Sequence, residues 1–214
     1  MKKKYFSLPK SYLSYSQYCL FVSDPAKYAR HYFDGQKNDY ANSGQVYGKQ
    51  VADALEASRD TGDLLTDASI LLLPRYDVQD QPMFAEFKEK NGKWLKLIAK
   101  PDSYNSVTNE FIEVKTGKIK NPWTQQKAQS HIQMIWYAVV IWLKYGTMLD
   151  HATLAWIATE DTPLGIKPTG RVESFEVTFR PEDYYNFQAK MLKVAHEIEQ
   201  AWAAHITPEY ISTF

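Results

Sequence analysis

The sequence predicts a mixed α/β fold of the α+β kind, in which helices flank both faces of one mixed central sheet. Apolar residues recur at helical spacing near the N-terminus and again over residues 121–146, and short β-prone segments separated by turn residues lie between them. With 44% hydrophobic residues, the 214-residue chain can build one sizeable core. We therefore expect a single domain over residues 1–214, with a helical N-terminal segment at about 11–58.

Two helices are predicted in this N-terminal segment. Residues 23–33 begin with Ser-Asp followed by Pro, which is typical of a helix start. In residues 43–58 the apolar positions Tyr47, Val51 and Leu55 fall at helical spacing. The first quarter of the chain is therefore predicted to be helical.

A strand meander is predicted next. Four β-prone segments follow one another, at residues 68–76, 82–90, 93–105 and 109–117. Between the second and the third, Asn91-Gly92 is a strong signal for a two-residue hairpin turn.

The remaining third of the chain returns to helix, then strands, then helix. Residues 121–146 have the pattern of one long amphipathic helix ending at Gly146. Strands are predicted near 151–160 and 172–179, and a closing helix from Pro181 to about His205. Strands enclosed by helices on both sides in sequence favour one mixed sheet covered on both faces.

Charge and cysteine content narrow the class of protein. Twenty-five basic residues balance twenty-five acidic ones, which argues against a protein that coats a polyanion, although a local basic stripe can still bind nucleic acid. One cysteine, Cys19, excludes an internal disulfide and any four-cysteine cage built by this chain alone. The longest apolar run, residues 135–143, is about half a bilayer span. We expect a cytoplasmic protein without a membrane partner.

Residues 109–118 contain the most informative charges. On a strand, Glu113 and Lys115 share one face, whereas Ile112 and Val114 point to the other face and a core. If the preceding strand turns back through a tight loop centred on residues 107 and 108, Asp102 lies opposite Glu113, with Cβ atoms about 5 Å apart. Two carboxylates at that distance can hold one hard cation.

The same charges also allow a simpler interpretation. A solvated sheet face or a surface ion pair gives the same spacing and contributes little stability. The motif occurs a second time at Glu86 and Lys88, beside the predicted hairpin tip, where we interpret it as a solvent-exposed edge. If the arrangement at Asp102, Glu113 and Lys115 is accidental, the two carboxylates should not converge in space.

Pro101-Asp102, Glu113 and Lys115 together resemble the signature of the PD-(D/E)xK nucleases. The resemblance extends from about residue 11 to 145 and is closest to the RecB-like exonuclease subgroup. It includes the segments 13–35 and 48–56, and Gln133 and Tyr137 in the Q-x-x-x-Y pattern of that subgroup. It implies a restriction-endonuclease-like core and a metal-dependent nuclease that acts on DNA.

The resemblance implies a set of metal ligands. Asp102 and Glu113 would be catalytic ligands of Mg²⁺ or Mn²⁺, together with the backbone carbonyl of Val114. The subgroup's metal-binding histidine is replaced here by Ala52; Glu56, one helical turn further on, is either a substitute ligand or an ordinary exposed glutamate. Related proteins carry a cysteine-bound iron–sulfur cluster, which a single cysteine excludes.

Candidate substrate-binding residues follow the catalytic strand. Lys115 would be the catalytic lysine, in an electrostatic role or as a base. Gln129, Gln133 and Tyr137 recur every fourth residue, so on a continuous helix they would share one face towards the active site or a substrate phosphate. Lys118 belongs to a basic run that could follow a nucleic-acid backbone. At such spacing, these side chains are otherwise ordinary boundary and surface residues.

The sequence therefore favours a metal-dependent DNA exonuclease. The alternatives are a structure-specific or restriction-like endonuclease on the same fold, or a catalytically inactive nuclease-fold module that only binds DNA. The departure at Ala52 favours the inactive module, and the intact Asp102, Glu113 and Lys115 favour the enzyme. The residues are compatible with DNA or RNA and with single or double strands.

Overall fold

The structure is a computed structural model that describes residues 3–36, 43–57, 59–79 and 81–206. The helices are α1 (Tyr15–Ser23), α2 (Pro25–Tyr32), α3 (Ser43–Ala57), α4 (Leu64–Leu71), α5 (Gln125–Gln129), α6 (Ile132–Tyr145) and α7 (Pro181–Ile206). The strands are β1 (Leu13–Ser14), β2 (Val78–Gln79), β3 (Met83–Lys88), β4 (Trp94–Ala99), β5 (Ser103–Tyr104), β6 (Phe111–Lys118), β7 (His151–Thr162) and β8 (Gly165–Thr178).

The predicted mixed α/β class is confirmed, but the strands form two sheets instead of one. A three-stranded sheet has the order β1-β4-β3, and a five-stranded mixed sheet has the order β2-β5-β6-β7-β8. The predicted strand over residues 93–105 is divided between them, with β4 in the first sheet and β5 in the second. Pro101 lies in this division, and a proline cannot donate to a strand ladder.

Most of the remaining predicted elements are confirmed, but the strand predicted over residues 68–76 is wrong. α2, α3, α7 and the strands β3, β6 and β7 lie where the sequence predicts them, whereas β8 begins seven residues before its predicted start. The Asn91-Gly92 hairpin joins β3 to β4 through a somewhat longer loop. Residues 68–76 do not form a strand, because α4 begins at Leu64 and includes the first part of that segment. Asp63 caps this helix by accepting a hydrogen bond from the Thr66 N–H at 2.9 Å.

The predicted long helix over residues 121–146 is two helices. α5 ends at Gln129, and α6 begins at Ile132 after a break at Ser130 and His131. Its predicted end at Gly146 is confirmed, since this glycine has φ 82° and its N–H donates to the Trp142 carbonyl.

The five-stranded sheet separates two apolar clusters. α3 and α4 cover a small cluster that includes Val51, Leu55 and Ile112, while α1, α6 and α7 contribute to a larger cluster that includes Phe111 and Trp136. Phe111 and Ile112 are adjacent on β6 and enter different clusters, as strand alternation requires. Both faces of β6 are therefore covered by helices. No helix within the described ranges has the length and apolar character needed to cross a bilayer.

Candidate active site

The pairing of β5 with β6 brings Asp102 beside Glu113. Ser103 pairs with Ile112 and Tyr104 with Phe111, so the residue before Ser103 faces the residue after Ile112. This is the predicted register, and it is confirmed. This register opposes the alternative in which Asp102 and Glu113 lie far apart.

β5 is so short that it leaves part of the edge of β6 uncovered. Its ladder with β6 consists of two residue pairs, after which the neighbouring chain turns away at Pro101. The carboxylate of Asp102 replaces the missing strand, because its Oδ2 accepts a hydrogen bond from the Val114 N–H at 2.6 Å. Asp102 thus satisfies a strand donor, and its carboxylate lies close enough to Glu113 to be affected by that charge.

Lys115 is held in place from two directions. Its Nζ donates to Glu113 Oε1 at 2.5 Å and to Gln133 Oε1 at 2.7 Å. Glu113 is 3% exposed, whereas about a quarter of the Lys115 side chain contacts solvent. A lysine ammonium has three N–H groups, so one remains for a water or a phosphate oxygen after these two bonds.

Gln133 and Tyr137 connect Lys115 on β6 to the chain segment that precedes Asp102. Gln133 Nε2 donates to the Tyr137 hydroxyl at 2.8 Å, and that hydroxyl donates to the backbone carbonyl of Lys100 at 3.0 Å. Lys100 lies two residues before Asp102. A chain of hydrogen bonds therefore runs from Lys115 through helix α6 to the segment that carries Asp102. It fixes the position of Lys115 relative to Asp102.

The environment of Asp102 opposes its ionisation. Burial and the nearby charge of Glu113 together raise the pKa of the Asp102 carboxyl to about 8, although the Val114 N–H favours the charged form. Two carboxylates held together in a protein interior destabilise each other unless a cation lies between them.

The donor set fits a hard divalent cation. Asp102 and Glu113 supply carboxylate oxygens, and the backbone carbonyl of Val114 lies on the same short strand segment. Within the described residues no cluster of three or more His, Cys, Asp or Glu side chains is placed to hold a metal. Mg²⁺ commonly takes only one or two carboxylates and keeps waters or substrate phosphates as its other ligands, so a pair of carboxylates fits Mg²⁺ better than a cation that requires a full protein cage.

A cleft of about 490 Å³ opens over these residues. Asp102, Glu113 and Lys115 line one side, and helix α3 lines the other. A Cβ atom at Gly48 on α3 would lie 3.1 Å from Thr116 Oγ1, so the missing side chain lets the helix approach β6 closely. Gly48 was not among the predicted site residues; the signal for it is a glycine within a helical pattern.

Ala52 and Glu56 on α3 have different positions relative to the cleft. Ala52 lines it, whereas Glu56 is not among its lining residues. The Glu56 carboxylate is about half exposed and lies 3.7 Å from Lys100 Nζ. Glu56 as a metal ligand stays a prediction, and its contact in this structure is an ion pair.

Gln129 and Lys118 also differ in position. The break before α6 separates Gln129 from Gln133 and Tyr137, so the predicted common helix face is wrong for this residue. Gln129 instead exchanges hydrogen bonds with the backbone of Thr178, at 2.7 and 3.1 Å. Lys118 does line the cleft, and its Nζ pairs with Asp161 Oδ2 at 2.5 Å.

Sequence comparisons identify no relative, while structure comparison identifies the fold. No protein-family model matches the chain, and no curated protein matches it. A candidate exonuclease from Eubacterium rectale superimposes with a TM-score of 0.57 at 14% identity, over 92% of this chain and 84% of that chain. At this identity the likeness shows that the two proteins share a fold.

Two further solved structures match less well. A phage-related exonuclease from Haemophilus somnus has a TM-score of 0.49 at 11% identity, over 84% of this chain and 80% of that chain. An alkaline exonuclease from Laribacter hongkongensis has a TM-score of 0.45 at 13% identity, over 92% and 95% of the two chains. Both scores are too low to support an inference.

Proposed function

We propose that this protein is a metal-dependent deoxyribonuclease of the exonuclease type that hydrolyses phosphodiester bonds. The observation that carries the proposal is that Asp102 and Glu113 lie next to each other on one side of the cleft, with Lys115 held beside them. The fold shared with the Eubacterium rectale protein, a candidate exonuclease, supports it.

The two carboxylates and the Val114 carbonyl would hold Mg²⁺ or Mn²⁺. When bound, the metal would polarise the phosphoryl oxygen and lower the pKa of a coordinated water. A positioned acid or base accelerates a reaction about 10²- to 10⁴-fold, whereas phosphodiester hydrolysis needs a far larger rate acceleration. Side chains alone are therefore not sufficient, and the proposed reaction requires a metal.

Lys115 would position the attacking water or stabilise charge on the phosphate. Glu113 and Gln133 fix its Nζ, and its remaining N–H can donate into the cleft. Tyr137 would act through Gln133 as a positioning residue, because its hydroxyl bonds Gln133 and the Lys100 carbonyl. These contacts support a role for Gln133 and Tyr137 in positioning Lys115. The sequence pattern instead predicts that they bind the substrate directly.

The first experiment is cleavage of end-labelled single- and double-stranded DNA with Mg²⁺ or Mn²⁺, and with EDTA. We expect metal-dependent cleavage by the native chain and a loss of about 100-fold or more in Lys115→Ala. The product ladder separates an exonuclease from an endonuclease.

The chain contains a matched control for this substitution. Lys88 has the same spacing from Glu86 that Lys115 has from Glu113, but Glu86 contacts Lys3 and Tyr5 at a partly exposed strand. Lys88→Ala should therefore cleave like the native protein. Equal activity of Lys115→Ala and Lys88→Ala would contradict the proposal.

The inactive DNA-binding module is the second candidate. The observation that favours it is Ala52 on the wall of the cleft, where a histidine would have added a third ligand. Folded native protein that binds DNA but does not cleave it with either metal would establish this second function.

A further inference from the structure

A second groove of about 520 Å³ lies on the other side of the hydrogen bond between Gln133 and Lys115. We call it the N-terminal groove, because the segment from Lys10 to Gln17 forms one wall; the other walls are the end of α2, the end of β4 and the Gln133–Tyr137 turn of α6. Gln133 lines this groove and also bonds Lys115, which lines the cleft. This hydrogen bond therefore links the wall of the N-terminal groove to the wall of the cleft.

Aromatic rings line the N-terminal groove. Tyr12, Tyr15 and Tyr32 all lie in its walls, and each is partly exposed. Tyr12 contacts Phe84 edge-on at a centroid distance of 5.9 Å, and Tyr32 packs on Tyr28 at 4.7 Å. These contacts fix the rings before any ligand arrives, which lowers the entropic cost of binding.

The backbone of this wall is also fixed. Gln17 is 2% exposed, and its Nε2 donates to the Tyr12 carbonyl at 3.3 Å and to Ser14 Oγ at 3.2 Å. Its Oε1 accepts from the Tyr28 hydroxyl at 3.4 Å. A buried amide that is satisfied in this way holds the segment with Tyr12 at a defined distance from α2.

The groove is basic. Lys10 and Lys100 are exposed at its edge and His31 lies in its wall, while no aspartate or glutamate lines it in the ranges that the structure describes. Glu56 lies outside the groove, 3.7 Å from Lys100 Nζ. Cations together with exposed aromatic rings are the features that bind phosphates and unpaired bases of a single strand.

From these contacts we infer that the N-terminal groove binds single-stranded nucleic acid next to the scissile phosphate. Tyr12 stacks on a base, and Lys10 and Lys100 neutralise the adjacent phosphates. A duplex keeps its bases paired and stacked, so it cannot use the tyrosines in this way. The inference rests on the proposed function for its position in the reaction, but binding can be measured separately from cleavage.

The test is fluorescence anisotropy of a labelled oligo(dT) and of a matched duplex, in EDTA to prevent cleavage. We expect Tyr12→Ala to weaken single-strand binding roughly tenfold and Tyr12→Phe to retain it, because the phenyl ring still stacks. Tyr185→Ala is the control, since Tyr185 is an exposed tyrosine on α7 that lines neither cavity.

Lys10→Gln provides a second, fold-neutral variant, because Lys10 is exposed. Loss of one phosphate contact should reduce the slope of log affinity against log salt by about 0.7 for a single strand. Native affinity in Tyr12→Ala, an unchanged salt slope in Lys10→Gln, or equal weakening for the duplex would each overturn the inference.

Hydrolysis of bis(p-nitrophenyl) phosphate with Mn²⁺ separates this inference from the proposed function. That small diester needs the catalytic residues but not the groove, so Tyr12→Ala should hydrolyse it like the native protein. If the native protein hydrolysed neither this diester nor DNA while Tyr12-dependent binding of single strands remained, the result would contradict the proposed nuclease function and support the groove.

Discussion

Asp102→Asn should stabilise the metal-free protein while it abolishes cleavage. Burial and the Glu113 charge raise the pKa of Asp102 to about 8, against 3.8 for the unperturbed group. The folded chain therefore holds a proton that the unfolded chain releases, so the stability of the native protein falls as the pH rises from about 4 to 8. An asparagine avoids this loss and can still accept the Val114 N–H through its amide oxygen.

The size of the effect follows from the same pKa. At pH 7 about three units separate the pH from the unfolded-state pKa, and each unit corresponds to about 1.36 kcal/mol, which gives about 4 kcal/mol. Asp102 keeps some contact with water, which reduces the penalty, so we expect Asp102→Asn to be about 2 to 4 kcal/mol more stable at pH 7 and nearly equal to the native protein at pH 4.

The assay is urea unfolding in EDTA at several pH values between 4 and 8. Asp53→Asn is the control, because the Asp53 side chain is 43% exposed and pairs with Lys49 on the surface of α3, and it should change stability by less than about 0.5 kcal/mol. A stability difference between Asp102→Asn and the native protein that does not grow with pH, or a less stable variant at pH 8, would refute the reasoning.

With bound metal, the native protein should become more stable than Asp102→Asn. Mg²⁺ should stabilise the native chain in proportion to the logarithm of its concentration and leave Asp102→Asn unchanged. Because Asp102 must lose its proton to bind, calorimetry at pH 7 should detect release of about one proton, measured as a dependence of the binding heat on the buffer.

Substitutions at three further positions have defined expected outcomes. Tyr137→Phe should lower stability by about 1 to 3 kcal/mol, since it removes the hydroxyl that accepts a buried hydrogen bond from the Gln133 amide and donates to the Lys100 carbonyl. It should also lower kcat more than it raises KM; unfolding curves and cleavage kinetics measure both. Gly48→Leu should cost about 1 to 3 kcal/mol and reduce DNA cleavage, because its Cβ would already lie 3.1 Å from Thr116 Oγ1; native stability in this variant would contradict the close approach. A hydrogen bond from Lys167, with those of the α4 cap, lowers the pKa of Asp63 to about 2, so its stabilisation is present above pH 4 and is lost as the pH falls towards 2. Asp63→Ala should cost about 1 kcal/mol at pH 7 and less at pH 2, whereas Asp63→Asn should retain most of the cap, as thermal unfolding at the two pH values can show.

Local patterns account for the elements that the sequence predicts correctly. The Ser-Asp-Pro start of α2, the spacing of Tyr47, Val51 and Leu55, and the turn at Gly146 are decided within a few residues of the chain. Residues 68–76 were predicted wrongly because an apolar run of this length suits a strand or a buried helix, and the cap at Asp63 together with packing on α3 decides for the helix.

The sequence by itself determined that Glu113 and Lys115 share one face of a strand. It placed Asp102 opposite Glu113 only if the chain turns back at residues 107 and 108, and the structure confirms that turn. Both follow from the two-residue period of a strand and from chain connectivity. It could not determine that the strand carrying Asp102 divides at Pro101, because the choice between two sheets depends on contacts far away in the chain.

Only the tertiary structure decided what Gln133 and Tyr137 contact. The two residues bond Lys115 and the carbonyl of Lys100, which lie 18 and 37 residues away from them. The N-terminal groove arises in the same way, from four segments that meet only after folding. Side-chain pattern fixes which way a residue points on its own element, and the packing of elements fixes what it meets there.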